Sequence, residues 1–253
     1  MLKAAFNVLR FSTRPDHFRV IAKKVVARFT EAGANQSRDQ IKSWCAERST
    51  DYATWARSQD AGLWQEALDY AAGFEAKARE TLESAKIRFG GGGAYALLYF
   101  LVRQRRPEHV VETGVAAGWS SAAILAAMDR NGTGHLWSSD FPYFRQAGAA
   151  DEIGVLVPGH LRKRWTLLID GDEQNLPKIR AAVPRVDLFH YDSDKSLGGR
   201  KFALATVQPK LAENGLVIFD DIQDNSHFRD IAGPTAVVFE ERGKYLGITG
   251  LRA

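Results

Sequence analysis

The sequence predicts an α/β protein built on an open, doubly wound, mostly parallel sheet, and three observations carry that expectation. Short apolar segments recur between residues 109 and 221, separated by stretches long enough for helical crossovers. Acidic residues close most of these segments, as ligand-facing strand ends do in doubly wound sheets. The last stretch, AVVFEERGKYLGITG (236–250), reads as a hairpin turning at Arg242-Gly243, so the sheet finishes with an antiparallel pair.

Taken in order, residues 16 to 87 show helical periodicity. Phe18, Ile21, Val25 and Phe29 share one face at three- and four-residue spacing, and Trp55, Leu63, Trp64, Leu68 and Ala71 suggest further helices with a buried aromatic face. The opening MLKAAFNVLRFSTRPDHFR faintly resembles a transit peptide, but it lacks a continuous apolar core and a small-residue cleavage site; a plain first helix is favoured. FGGGG (89–93) marks a boundary between a helical segment, 1–88, and a second domain, 89–253. After it, YALLYFLVRQ predicts a helix, HVVET (109–113) a strand and SSAAILAAM (120–128) a helix. HLWSSD (135–140), WTLLID (165–170), VDLFHYD (186–192) and GLVIFDD (215–221) are the next strands.

Composition narrows the function classes. With 45% hydrophobic and 25% charged residues the 253-residue chain is globular, not disordered. A net charge of +4 is mild, so RQRRP (103–107) and LRKRW (161–165) read as solvated surface rather than an RNA-binding stripe. The single cysteine, Cys45, excludes an internal disulfide framework and a Cys-rich zinc site, and fits a reducing cytoplasm. No apolar run approaches the ~20 residues of a membrane span.

The first strand runs into ETGVAAGWSS (112–121). Gly114 permits a sharp turn, and Gly118 lets backbone approach a ligand where the helix begins at Ser120. The pattern is neither the G-x-G-x-x-G dinucleotide fingerprint nor a P-loop. An acid followed by G-x-x-x-G fits S-adenosylmethionine better: Glu112 attracts its ammonium and the helix start receives its carboxylate. Asp140, ending the second strand, suits the ribose hydroxyls, and Asp170 and Asp172 fall near an adenine edge. In the strand order 3-2-1-4-5, Asp192 and Asp194 end one strand and Asp220 and Asp221 its neighbour, about 4.8 Å away. Four crowded carboxylates repel one another unless a hard cation such as Mg²⁺ relieves them. Such an ion also acidifies a substrate hydroxyl, and a free carboxylate nearby takes its proton. His190 reads as a hydrogen-bonded core histidine, His227 as near a substrate, and His160 as solvated; Trp119 either stacks on the cofactor or covers the helix start.

Together these residues resemble the class I S-adenosylmethionine-dependent methyltransferases over roughly residues 90–250, with VVETGVAAGWSS similar to their first motif and LIDGDEQNLPKI to the adenine-contacting segment. The likeness runs to the macrocin- and novobiocin-type sugar O-methyltransferases. It implies a Rossmann-like seven-stranded sheet of order 3-2-1-4-5-7-6, Asp192, Asp220 and Asp221 as metal ligands, and Asp194 as the base beside Asp192. It also implies that the N-terminal helices serve as a lid or in homo-oligomer contacts. Lys195 departs from the pattern, since it can pair with the carboxylates and neutralise the site. The expected activity is O-methylation of a small hydroxylated metabolite. A nucleic-acid methyltransferase lacks its NPPY, DPPY or Pro-Cys signature here, and an NAD-dependent oxidoreductase lacks the third glycine. A non-catalytic cofactor-binding protein fits the intact acids less well.

Overall fold

The computed structural model describes residues 35–84, 91–142 and 150–251. The expected first helix with Phe18, Ile21, Val25 and Phe29, and the start of the glycine run at Phe89-Gly90, lie outside the described residues. In chain order the elements are α1 (Asn35–Arg48), β1 (Ser49–Thr50), α2 (Tyr52–Gln59), α3 (Ala61–Ser84), α4 (Tyr95–Arg105), β2 (His109–Thr113), α5 (Trp119–Asn131), β3 (His135–Ser139) and β4 (Trp165–Leu168). They continue with α6 (Asp172–Ala182), β5 (Val186–Tyr191), α7 (Leu197–Val207), β6 (Leu211–Phe219), α8 (His227–Ile231), β7 (Val237–Glu241) and β8 (Lys244–Thr249).

The sheet has eight strands in the order β1-β7-β8-β6-β5-β2-β3-β4. It therefore differs from the expected seven. Ser49 and Thr50, two residues between helices and too short to show alternation, pair in parallel with Val238 and Phe239 at one edge. The other seven strands succeed one another as expected, with β8 antiparallel to both β6 and β7. Strands β3, β4, β5 and β6 stop before Asp140, Asp170, Asp192 and Asp220, so these acids stand in the loops beyond the strand ends. Strand residues alternate between faces, and both faces are covered. Val110, Leu188, Leu216 and Ile218 pack against α4 and α5, while Val111, Phe189, Val217 and Phe219 pack against α1, α6 and α7.

The N-terminal helices share this core. Trp64, Ala67 and Ala71 of α3 belong to the same buried cluster as α4 and the sheet. Helix α4 is apolar nearly all round because it lies between α3 and the strands, and each fully buried leucine of it contributes about 1.5–3 kcal/mol. Glu66 fastens the layers, accepting from Tyr99 Oη at 2.7 Å and Arg103 Nε at 2.7 Å. Leu68, expected in the buried face, is 38% exposed, because the contact stripe of α3 runs through Trp64, Ala67, Ala71 and Ala78. Among the described residues no helix is long and apolar enough to cross a membrane.

Candidate active site

The turn after β2 is built for close backbone contact. Gly114 has φ +82°, and a Cβ there would stand 2.2 Å from the Asp192 carbonyl oxygen. Gly118 caps α5 at φ +95°, where a Cβ would meet the Gly154 Cα at 2.9 Å. Ala116 also has a positive φ of 48°, uncommon for a residue with a Cβ. Asp140 secures this loop: its Oδ2 accepts from the Val115 and Ala116 amides at 3.0 and 2.7 Å, and its Oδ1 from the Phe141 amide at 2.6 Å. The carboxylate expected on a ribose is therefore also the acceptor that shapes the glycine turn. Burial pushes Asp140 up to about 6 despite those amides, with Asp172 adding repulsion.

Glu112 is wholly buried, and its Oε2 accepts from Ser121 Oγ at 2.6 Å and Ser138 Oγ at 2.8 Å. Its Oε1 makes no hydrogen bond and faces His190 Nδ1 at 3.8 Å, an ion-pair separation rather than a hydrogen bond. Burial alone would strip both charges. The pair sustains them, holding Glu112 below the usual carboxylate range and His190 above the usual imidazole range. His190 is thus a core histidine as expected, tied by charge instead of a hydrogen bond. Ser120 lies half-buried in the first turn of α5. Asp172, at the start of α6, accepts from Ser139 Oγ at 2.6 Å and from Ser193 Oγ, joining the β3 and β5 ends. Asp170 instead pairs outward with Lys178 at 3.3 Å.

The acids beyond β5 and β6 divide. Asp192, Asp220 and Asp221 each offer an oxygen within 4.8 Å of the others. Asp194 does not join them: its two oxygens accept from the Ser196 amide and hydroxyl at 3.0 Å, fastening the chain to the N-terminus of α7. Lys195 takes the facing position, ion-paired with Asp192 and with Asp221 at 3.2 Å. Lys244 reaches Asp221 from β8 at 3.0 Å. Burial and the Asp192 charge push Asp220 up to about 6 against the pull of Lys195, whereas the two lysines overcome burial and hold Asp221 low. Although burial opposes its charge, the carboxylates raise Lys195.

Glycine also roofs this end. A Cβ on Gly93 would lie 3.5 Å from Asp220 Oδ2, and one on Gly92 would strike the Trp119 ring at 2.6 Å. Trp119 packs against Tyr95 and Phe74, with ring centroids 5.2 and 5.3 Å away, and so covers the start of α5. His227 is buried with its ring 5.3 Å from that of Phe219, and His160 is exposed. Sequence reasoning missed Ser121 and Ser138, whose hydroxyls carry no spacing signal. It also missed Lys244, which the β7–β8 turn brings back to the rim.

This sheet, with a glycine turn after its central strand and acids at successive strand ends, has the fold of the class I S-adenosylmethionine-dependent methyltransferases. Residues 111–222 match the family model described as a methyltransferase domain, a span of just under half the chain. Among solved structures, one from Klebsiella pneumoniae is 18% identical over 69% of this chain and 87% of its own, with a TM-score of 0.54. The O-methyltransferase TomG of Streptomyces achromogenes, involved in tomaymycin synthesis and solved with SAM, is 16% identical over 68% of this chain and 86% of its own, with a TM-score of 0.54. An O-methyltransferase from Bacillus cereus solved with SAH is 15% identical over 74% of this chain and 88% of its own, with a TM-score of 0.50. No curated protein matches the chain.

Proposed function

We propose that this protein transfers the methyl group of S-adenosylmethionine to a hydroxyl oxygen of a small molecule, assisted by a divalent cation such as Mg²⁺. The convergence of Asp192, Asp220 and Asp221 beside the glycine turn is the observation that carries this reading. The residues suit the cofactor: Glu112 keeps one buried oxygen without a hydrogen bond, and Gly114 and Gly118 let the turn close tightly on Asp192 and Gly154 ahead of the α5 N-terminus. Glu112 would meet the ammonium, Gly114, Gly118 and Ser120 the amino-acid end, Asp140 the ribose and Asp172 the adenosine side. Three carboxylates are also the hard oxygen set that Mg²⁺ prefers.

When bound, the cofactor supplies an electrophilic methyl group and the cation acidifies the acceptor hydroxyl. The chain's own work is to align the acceptor for in-line attack, exclude water beside Gly92 and Gly93 and handle one proton. We assign that proton to Lys195 Nζ, and not to Asp194, which serves Ser196: with Asp192 and Asp221 taken by a cation, Lys195 would be released from its ion pairs and lose its own proton to solvent, leaving a neutral amine to accept the proton of the acceptor hydroxyl. Asp194→Asn should accordingly lower kcat less than about tenfold, whereas loss of a general base costs about 10²–10⁴. Steady-state kinetics of the variant checks this, and a loss in the larger range restores Asp194 as the base.

The resemblance to the macrocin and novobiocin branch supports a sugar hydroxyl as one acceptor among small hydroxylated metabolites, and a methyl-release assay across a panel of such compounds identifies it. Our reading further includes a cytoplasmic homo-oligomer that does not act on nucleic acid. Thermal shift tests the cofactor: SAH should raise the midpoint while NAD leaves it unchanged, and the reverse result would overturn the assignment. Asp140 sets a pH dependence. Only its ionised form accepts two ribose hydroxyls, so SAH affinity should fall as the pH drops through about 6, reaching about tenfold weaker at pH 5. Calorimetric titrations from pH 5 to 8 give the profile, and a flat one removes Asp140 from the ribose.

A further inference from the structure

Arg200, in the first turn of α7, is completely buried. Its hydrogen bonds go to main chain: Nη2 donates to the carbonyls of Asp220 and Asp221, each at 2.9 Å, while Nε and Nη1 have no partner. The guanidinium lies 5.8 Å from the ring centre of Tyr191 and 5.7 Å from that of Phe219. These are the last residues of β5 and β6, directly before Asp192 and Asp220. Burying a guanidinium that is incompletely hydrogen-bonded is costly, and an apolar side chain of similar length would fill the space more cheaply. What such a side chain lacks is a nitrogen that donates to both carbonyls at once, as Nη2 does.

Nη2 acts where the chain needs it. Consecutive residues of an extended strand point to opposite faces, so Asp220 and Asp221 would diverge if β6 simply continued. Asp221 instead takes a left-handed conformation at φ +53°, uncommon for a residue with a Cβ, and both carboxylates turn toward Asp192. We propose that Arg200 is a positioning residue for the cation ligands: by holding both carbonyls it stabilises the turn that brings Asp220 and Asp221 to one side. This inference rests on the reading of the three aspartates as a divalent-cation site.

The test uses the full chain with Arg200→Met and Arg200→Lys, titrating Mn²⁺ by electron paramagnetic resonance and SAH by calorimetry. Arg200→Met should weaken Mn²⁺ at least tenfold and leave SAH within about threefold. Arg200→Lys, keeping charge and one donor position, should recover part of the loss. Unchanged Mn²⁺ affinity in Arg200→Met, or Mn²⁺ and SAH affinities falling together, would mean a packing role and overturn the proposal. If the methionine variant does not fold, Arg200→Lys decides alone: Mn²⁺ at least threefold weaker with SAH unchanged supports the clamp, and equal affinities overturn it. Should the wild-type protein bind no Mn²⁺, the cation reading fails separately, and a crystal structure of Arg200→Lys judges this inference. Asp221 leaving its left-handed conformation supports it; an unmoved Asp220-Asp221 turn refutes it.

Discussion

Replacing Asp220 with asparagine is expected to weaken Mn²⁺ binding about a hundredfold and to lower kcat/KM by about 10²–10⁴, while SAH binding changes little. The site explains the selectivity. Asp220 stands just past β6, beside Asp192 and Asp221, whereas Asp140 is the carboxylate that accepts from the Val115 and Ala116 amides of the glycine turn. An amide keeps the shape but removes one negative charge from a hard-cation site, and stabilisation by a metal is worth several kcal/mol, or two to four decades in rate. Burial and repulsion from Asp192 strain the ionised carboxylate, so the metal-free asparagine variant should be no less stable than the wild type above pH 6. The sign follows from linkage. A carboxyl whose folded value lies near 6 instead of 3.8 binds its proton more tightly when folded, so its ionisation removes stability as the pH rises across that interval. Calorimetry with Mn²⁺ and with SAH, alongside turnover, measures all three effects. Joint loss of both ligands would mean that Asp220 supports the fold and not the cation.

Replacing Lys195 with methionine should move two quantities in opposite directions: kcat falls by about 10²–10⁴, and Mn²⁺ binds about tenfold more tightly. The ammonium pairs with Asp192 and Asp221, the same oxygens a cation would use. Removing it takes a positive charge from the centre of the triad, and close charges at a partly buried site interact by a few kcal/mol at most. Because these carboxylates keep Lys195 charged, its proton is released only when they are otherwise engaged. A second reading, in which Lys195 itself neutralises the triad and no metal is required, is favoured by the same ion pairs. It predicts that the variant loses activity without gaining Mn²⁺ affinity, and turnover in a chelating buffer separates the two.

Much of the architecture was legible because long-range order left local marks. The runs before Asp192 and Asp220 are largely apolar on both faces, which identifies buried parallel strands, and each ends in an acid at the rim. The triad of Asp192, Asp220 and Asp221 follows once β5 and β6 are neighbours, as their pairing from Leu188 with Leu216 onward bears out. What escaped depends on side-chain direction. Asp194 and Asp192 are equally spaced candidates in sequence, yet a helix-capping serine two residues on claims Asp194. Asp140 was legible as a strand-end acid, but its bonds to the Val115 and Ala116 amides were not, because a loop amide gives no sequence signal. Arg200 resembles any helix cation until the fold encloses it. Leu68 shows the converse, since periodicity finds a stripe without fixing its centre.

The two-residue strand Ser49–Thr50 has a consequence for the behaviour of shortened chains. Val238 and Phe239 of β7 would otherwise offer bare main-chain groups along the margin of the sheet, a template for pairing with other molecules. Deleting the leading helices would therefore do more than uncover α4: it would strip the guard from a sticky hydrophobic border, and self-association into insoluble material is the expected result.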